Sequence, residues 1–267
     1  MTAQAPILMS GGYIATLDDI SAVHTPLATA THKPIPHRWF LDQVISSLAV
    51  ANYEVTAQNF GLMGKEGQDF FGVLTLNKQS PTKDYAHVLG IRNSHRCKFS
   101  ASAVLGTRVM VCDNLAFNGS GTLMSYSRKH TSSIMRDLPQ IAIDNALRLP
   151  DHFTTIDDQI QSWKDYTLGS TDNQIRKNAA DFLLRAMTHG AVNSRLLPQV
   201  WQEFNRFDGA GGHACFTEPT MWSLYNAFTE AEKSSTSPIE TFKRTSRLTG
   251  LANREVLNGT YTDITTN

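Results

Sequence analysis

Residues 37–76 read HRWFLDQVISSLAVANYEVTAQNFGLMGKEGQDFFGVLTL, and two periodicities meet inside this stretch. First, Phe40, Val44, Leu48 and Ala51 recur at helical spacing, with Leu41 and Ile45 beside them. Such spacing puts them on one face, and it predicts a helix from His37 to Ala51, just after Pro34 and Pro36. The period then drops to two. Tyr53, Val55 and Ala57 point one way, and Glu54, Thr56 and Gln58 the other, as in a half-buried strand. Gly64-Lys-Glu-Gly67 turns the chain, and Asp69-Phe-Phe-Gly-Val-Leu-Thr-Leu76 returns as the second arm of a hairpin with a longer loop.

Working outward, two more Val-, Leu- and Ile-rich runs near 85–96 and 103–112 predict further strands, with Gly90 and Gly106 marking bulges or tight approaches. After Thr131 the pattern is helical. Ile134, Leu138, Ile141, Ala142 and Ala146 hold helical spacing, with a kink or restart expected at Pro139. Segments 157–166, 174–188 and 197–207 are further helices. Another starts at Glu218-Pro219, the proline in its first turn, with Trp222, Tyr225 and Phe228 on one face. Residues 1–35 are rich in Thr, Ala and Pro without a sustained period, and read as an extended N-terminal arm. The whole reads as α+β: a small antiparallel sheet with a packed helix (36–130), then a mainly helical half (131–267), the two forming one compact unit.

The composition of the 267 residues, 41% hydrophobic and 18% charged, is that of a globular chain and excludes disorder, collagen and coiled coil. No apolar run reaches the roughly 18 residues of a spanning helix, so no membrane partner is expected. The start, MTAQAPILMSGGY, has no cationic leader. Three cysteines, Cys97, Cys112 and Cys215, exclude a disulfide scaffold and predict a reduced, cytoplasmic chain.

A net charge of zero hides an asymmetry. Between Ala86 and His130, Arg92, Arg96, Lys98, Arg108, Arg128 and Lys129 face only Asp113. Between Asp137 and Asp172 seven aspartates (137, 144, 151, 157, 158, 165 and 172) face only Arg148 and Lys164. From Lys233 to Arg254 the chain is basic again. A local basic surface can serve a polyanion whatever the total charge. If residues 86–98 form one strand, Arg92, Ser94, Arg96 and Lys98 share a face at a pitch of about 6.7 Å, suited to a phosphate backbone. His87, Leu89, Ile91, Asn93 and His95 share the other face. Phe70, Phe71, Phe99 and Tyr126 are candidates to stack bases.

Catalytic and cofactor motifs are wanting. There is no phosphate-binding G-x-x-x-x-G-K-[ST] loop, and Gly209-Ala-Gly-Gly212 follows a helix rather than a strand, so no nucleotide cofactor is implied. The nucleophile elbow, the H-E-x-x-H pair and the zinc-deaminase signature are absent too. His95-x-Cys97 and His213-x-Cys215 offer soft ligands, but two buried thiols unrelated to metal fit their spacing better. Asp113-Asn114 closes a strand, where a turn is commoner than chemistry. No cofactor, metal or catalytic residue is assigned, although a hydrolase built on His95, Asp113 and Asn114 stays open.

Asn93-Ser94-His95, then Arg108-Val-Met-Val-Cys112-Asp-Asn114-Leu115, and Thr220-Met-Trp-Ser-Leu-Tyr-Asn226-Ala227-Phe228-Thr229-Glu230 further on, resemble domain-of-unknown-function family 932 over about residues 36–250. The resemblance implies a phage-, prophage- or plasmid-borne protein and supplies no activity. It makes Asn93, His95 and Asn114 the family-motif polar residues, structural or site-shaping. Arg96-Cys97-Lys98 departs from the small acidic-glycine step that many relatives carry there. In shape, a helix, a hairpin and further strands with a basic groove also resemble the core of the single-strand annealing proteins of phage recombination, which form rings or filaments without catalytic residues.

Together these features lead to a non-enzymatic nucleic-acid-binding protein of the single-stranded-DNA binding or annealing type. Its contacts are Arg92, Ser94, Arg96, Lys98, Arg108, Arg128 and Lys129. A homo-oligomer built by the N-terminal arm is one expected assembly. The alternative is an anti-defence or phage assembly protein that acts through a host or phage protein, with the acidic segment 137–172 as its contact.

Overall fold

The computed structural model describes residues 12–79, 84–109, 115–117, 125–205, 218–233 and 238–258. Its architecture is α+β. Among the described residues one antiparallel sheet holds seven strands in the order β1-β2-β3-β4-β5-β6, with β7 also on β5. The strands are β1 (Gly12–Ala15), β2 (Val55–Met63), β3 (Asp69–Gln79), β4 (Tyr85–Ser94), β5 (Ala101–Val109), β6 (Leu115–Phe117) and β7 (Ser125–Arg128). The helices are α1 (Leu17–Ala22), α2 (His37–Val50), α3 (Ile134–Leu147), α4 (Leu149–Asp165), α5 (Asp172–Thr188), α6 (Leu197–Phe204), α7 (Met221–Glu232) and α8 (Pro238–Asn258).

The helix and hairpin of 37–76 form as their periodicities require. Phe40, Leu41, Val44 and Leu48 of α2 are buried and join one core with Phe70 and Leu74 of β3, and Leu89 and Ile91 of β4. Gly64 and Gly67 turn the hairpin at φ of 91° and 67°, the left-handed region open to glycine. Gly90 and Gly106, expected to mark bulges, sit in regular register opposite Val73 and Val88. The register shifts fall instead between Val55 and Ala57 and between Thr75 and Gln79.

The expected arm is part of the sheet region from residue 12 onward. β1 pairs β2, with Tyr13 opposite Leu62. Thr16 then caps α1 in a capping box with Asp19. β6 and β7 lie end to end on β5, opposite Gly106–Arg108 and Ala101–Val104. They are two halves of one edge strand, separated by residues 118–124.

In the helical half α3 runs through Pro139 without a break. The carbonyl that loses its N–H partner there belongs to Met135, on an exposed turn where water can take its place. α7 begins at Met221, not Pro219, because the Thr220 side chain caps it by accepting the Ser223 N–H. Eleven of its 12 residues are buried, so Asn226 and Thr229 of the late motif turn inward and bond backbone carbonyls of their own helix. α8 escaped the apolar-period reading; its arginines do structural work. Arg244 reaches both oxygens of buried Glu232 at 3.2 and 3.1 Å, and Arg247 donates to the Gly190 carbonyl at 3.0 Å. Among the described residues no helix is long and apolar enough to cross a membrane.

Gly72 marks the tightest approach in the sheet. A Cβ there would stand 2.9 Å from Ile91 Cγ1 and 3.1 Å from Phe60 Cδ1, both in side chains held by the core. Gly72→Ala should therefore cost about 1–3 kcal/mol by overpacking, read as a lower urea midpoint at unchanged m-value.

Candidate nucleic-acid interface and the buried histidines

Asp69, the first residue of β3, has no exposed surface. It stands opposite Ser94, the last residue of β4. A buried carboxylate needs cations and hydrogen bonds, and the chain after β4 provides both. The Ser94 hydroxyl donates to Asp69 Oδ1 at 2.7 Å and accepts the N–H groups of Arg96 and Lys98 at 3.2 and 3.3 Å. Arg96 bonds Asp69 Oδ2 through Nη2, and Lys98 Nζ lies 3.7 Å from the same oxygen. The pairing with Asp69 holds the Arg96 pKa above its ordinary value.

This corrects the reading of 86–98 as one strand. β4 ends at Ser94, residues 95–98 form a turn, and Cys97 sits at φ 58°. Arg92 and Ser94 do share a face opposite Asn93, but Arg96 and Lys98 reach that side by the turn. Ser94 is buried with its hydroxyl engaged, so it does not face a phosphate. Arg92, half-buried, donates from Nε to Ser102 Oγ at 2.8 Å and lies over the Phe99 ring at 5.2 Å from its centroid. Phe99 in turn packs on Phe71 at 5.1 Å.

Arg128 stands opposite Ala101 in the β7–β5 ladder, next to the Ser102 that Arg92 binds, and exposed Lys129 follows it. The sheet therefore gathers Arg92, Arg96, Lys98, Arg128 and Lys129 at one end, although the register places Arg128 on the face of Ala101, opposite the face that carries Arg92 and Ser102. Arg108 is separated from them: it pairs Ala86, six residues along β5 from Ser102, or about 20 Å. Asn114, with Cys112 and Asp113, lies outside the described residues, as do His213 and Cys215.

On the other face of the same strand end lies a group of histidines. His37, His95 and His130 are buried, and His32 is half-buried. His37 and His95 stack at 3.9 Å with their planes 6° apart, and His32 stacks on His130 at 5.0 Å. The carbonyl of Ile35 is the hub. It accepts from Asn93 Nδ2 at 3.0 Å and from His95 Nε2 at 2.8 Å. Asn93 Nδ2 also donates to His37 Nδ1 at 2.8 Å, while His37 Nε2 donates to the Gly67 carbonyl at 3.1 Å. These partners assign the tautomers: His37 and His95 carry their proton on Nε2. Burial, and then His95, push His37 down to about 3; burial, and then His32 and His95, push His130 to about 4. Burial lowers His95 as well.

The family-motif residues Asn93 and His95 thus bind the lead-in to α2. His95 and Cys97 are not a ligand pair, since one is buried and the other is exposed in the turn. Among the described residues no group of three His, Cys, Asp or Glu gathers to hold a metal ion. Sequence reading missed Asp69 as the counter-ion and His32, His37 and His130 as partners of His95. The one signal available for the latter was the density of histidines before α2.

The family model for the domain of unknown function DUF932 matches residues 30–250, and the chain belongs to that family. No curated protein and no solved structure matches the chain.

Arg96→Ala with Lys98→Ala strips Asp69 of both cations. The loss should be about 1–3 kcal/mol in urea denaturation, moderated because both cations are partly exposed. Adding Asp69→Asn should recover most of it, since the neutral amide needs no counter-ion.

Proposed function

We propose that this chain is a non-enzymatic, phage- or plasmid-type nucleic-acid-binding protein of the cytoplasm. It takes single-stranded DNA on the end of the sheet where Arg92, Arg96, Lys98, Arg128 and Lys129 gather, and acts by binding or annealing. The observation that carries the reading is the Arg92–Phe99 pair, a half-buried ring with a guanidinium over one face and exposed cations in the adjoining turn. Bases stack on such rings whatever their sequence, while cations track the phosphates. Arg96 and Lys98 answer Asp69 yet stay 41% and 46% exposed, which leaves them within reach of a strand.

The test is fluorescence anisotropy with a labelled single-stranded 40-mer at several salt concentrations. With four or five phosphates neutralised, log K should fall against log salt with a slope of roughly −3 to −3.5. Phe99→Ala should cost about 1–3 kcal/mol of binding. Lys129→Glu should weaken binding and flatten the slope, without touching the Asp69 cluster. Absence of binding at low salt overturns the reading.

A second reading has its own observation. Asp137, Asp144, Asp151, Asp158, Asp165 and Asp172 recur at seven-residue intervals. Asp144, Asp151, Asp158 and Asp165 are exposed, opposite the buried stripe Ala146, Leu149, Phe153, Ile156, Ile160 and Trp163. An acidic ridge of this kind fits a basic protein partner of host or phage. Nuclease-resistant capture of one such partner, lost on Asp151→Asn with Asp158→Asn, favours it.

A further inference from the structure

The histidines at the end of β4 do more than fill space. Residues 32–37 are tied to the rest of the chain through them and through Ile35, which is buried in the core. Lys33 N–H donates to the His130 carbonyl at 2.9 Å, and His32 Nε2 donates to the His95 carbonyl at 3.3 Å. His95 N–H donates to the Gln68 carbonyl at 2.9 Å, and Ile35 and His37 are held as described above. The segment before α2, the end of β4, the hairpin turn and the residues after β7 thus meet at four rings.

Two features of this group require neutral imidazoles, the His37–Asn93 contact and the stacking of His95 on His37, while the Gly67 and Ile35 carbonyls accept from either form. His37 Nδ1 faces an amide donor 2.8 Å away, so a proton there would set two donors against each other. Turning the Asn93 amide would relieve this only by taking its donor from the Ile35 carbonyl. A proton on His95 would put a cation flat against His37 at 3.9 Å. Neither ring nitrogen of His130 has a partner to share a charge with, and Asn93 Oδ1 and His95 Nδ1 are also buried and unpartnered. The charged groups that face the rings are few. Asp69, behind β3, favours the protonated forms of His37 and His95, but its oxygens are already taken by Ser94, Arg96 and Lys98. The His24 backbone favours the protonated form of His95, whereas His32 disfavours protonation of both His95 and His130.

We infer that His32, His37, His95 and His130 form an acid-released clasp, which ties residues 32–37 to the end of β4 at neutral pH and lets them go on acidification, before the helical half unfolds. The direction follows from linkage. A histidine whose folded pKa lies below its unfolded value of about 6.5 favours the closed state above that pH. Its contribution is lost as the pH falls from there toward the folded value. Between pH 7 and pH 5 a ring held at about 3 or about 4 shifts the opening equilibrium by about 20-fold, so His37 and His130 together shift it by several hundred-fold.

The test is hydrogen exchange on the full chain at pH 7 and pH 5, corrected for the intrinsic pH dependence of exchange. The amides of Lys33 and His95 should lose several hundred-fold of protection at pH 5, while those of α7 keep theirs. Unchanged protection at Lys33 and His95, or an equal loss in α7, overturns the clasp. His130→Phe keeps a ring against His32, removes no hydrogen bond of the side chain, and should cut the pH response by about 20-fold. The same response in this variant also overturns the role of His130. Should the variant not fold, nitrogen-15 titration of the wild-type imidazoles decides. Rings that protonate near pH 6.5 with protection at Lys33 intact refute the inference, and rings that stay neutral until that protection is lost support it.

Discussion

Asp69 begins β3 with a carboxylate sealed from water, and much of the local structure follows from neutralising it. The Ser94 hydroxyl takes one oxygen at the end of β4. The turn at 95–98, with Cys97 in the left-handed region, brings Arg96 and Lys98 back over the other oxygen. That turn sends His95 inward and delivers Phe99 beneath the guanidinium of Arg92. The basic surface and the histidine group are two sides of one strand end, and both owe their placement to the same buried charge.

The two sides solve opposite electrostatic problems. On one, cations are kept charged by a carboxylate and by access to solvent, which leaves them able to meet a polyanion. On the other, burial is relieved by neutrality: the His37 and His95 imidazoles are each held in one tautomer by carbonyls and, for His37, by an asparagine amide. The same strand thus keeps its partly exposed cations and its buried polar groups on opposite faces. Further along it, Tyr85 donates to Asp157 at 2.6 Å and His87 Nε2 stands 3.0 Å from the same oxygen. Burial lowers His87 to about 4 despite that carboxylate. The core face of β4 therefore carries buried Tyr85, His87 and Asn93 beside apolar Leu89 and Ile91.

Several elements were legible in the residues. α2 and the β2–β3 hairpin follow from a change of period between Ala51 and Tyr53, because burial on one face is a local, repeating requirement. Most of the helical half was legible for the same reason, although α4 begins at Leu149, eight residues before the expected start at 157. β1, β6 and β7 were not: they are short, and they become strands only because β2 and β5 offer them a free edge. α8 was not, because its buried residues are spread among arginines whose partners, Glu232 and the Gly190 carbonyl, lie on other elements 12 and 57 residues away. The seven-residue recurrence of aspartates in α3 and α4 was present in the residues and is understood as a ridge only once the opposite stripe is known to be buried.

The candidate site divides in the same way. By itself the sequence determined that cations cluster between residues 92 and 129, that Arg92 and Asn93 take opposite faces of a strand, and that the chain is α+β. These depend on composition and on a period of two, which are properties of neighbours. Only the tertiary structure decided that Arg96 and Lys98 answer Asp69, that Arg108 stands apart, and that histidines from residues 32 to 130 stack into one group. Those outcomes hang on which distant carboxylate is buried and which carbonyl is left to be satisfied. Burial of a charge is a property of the whole fold, and no local pattern records it.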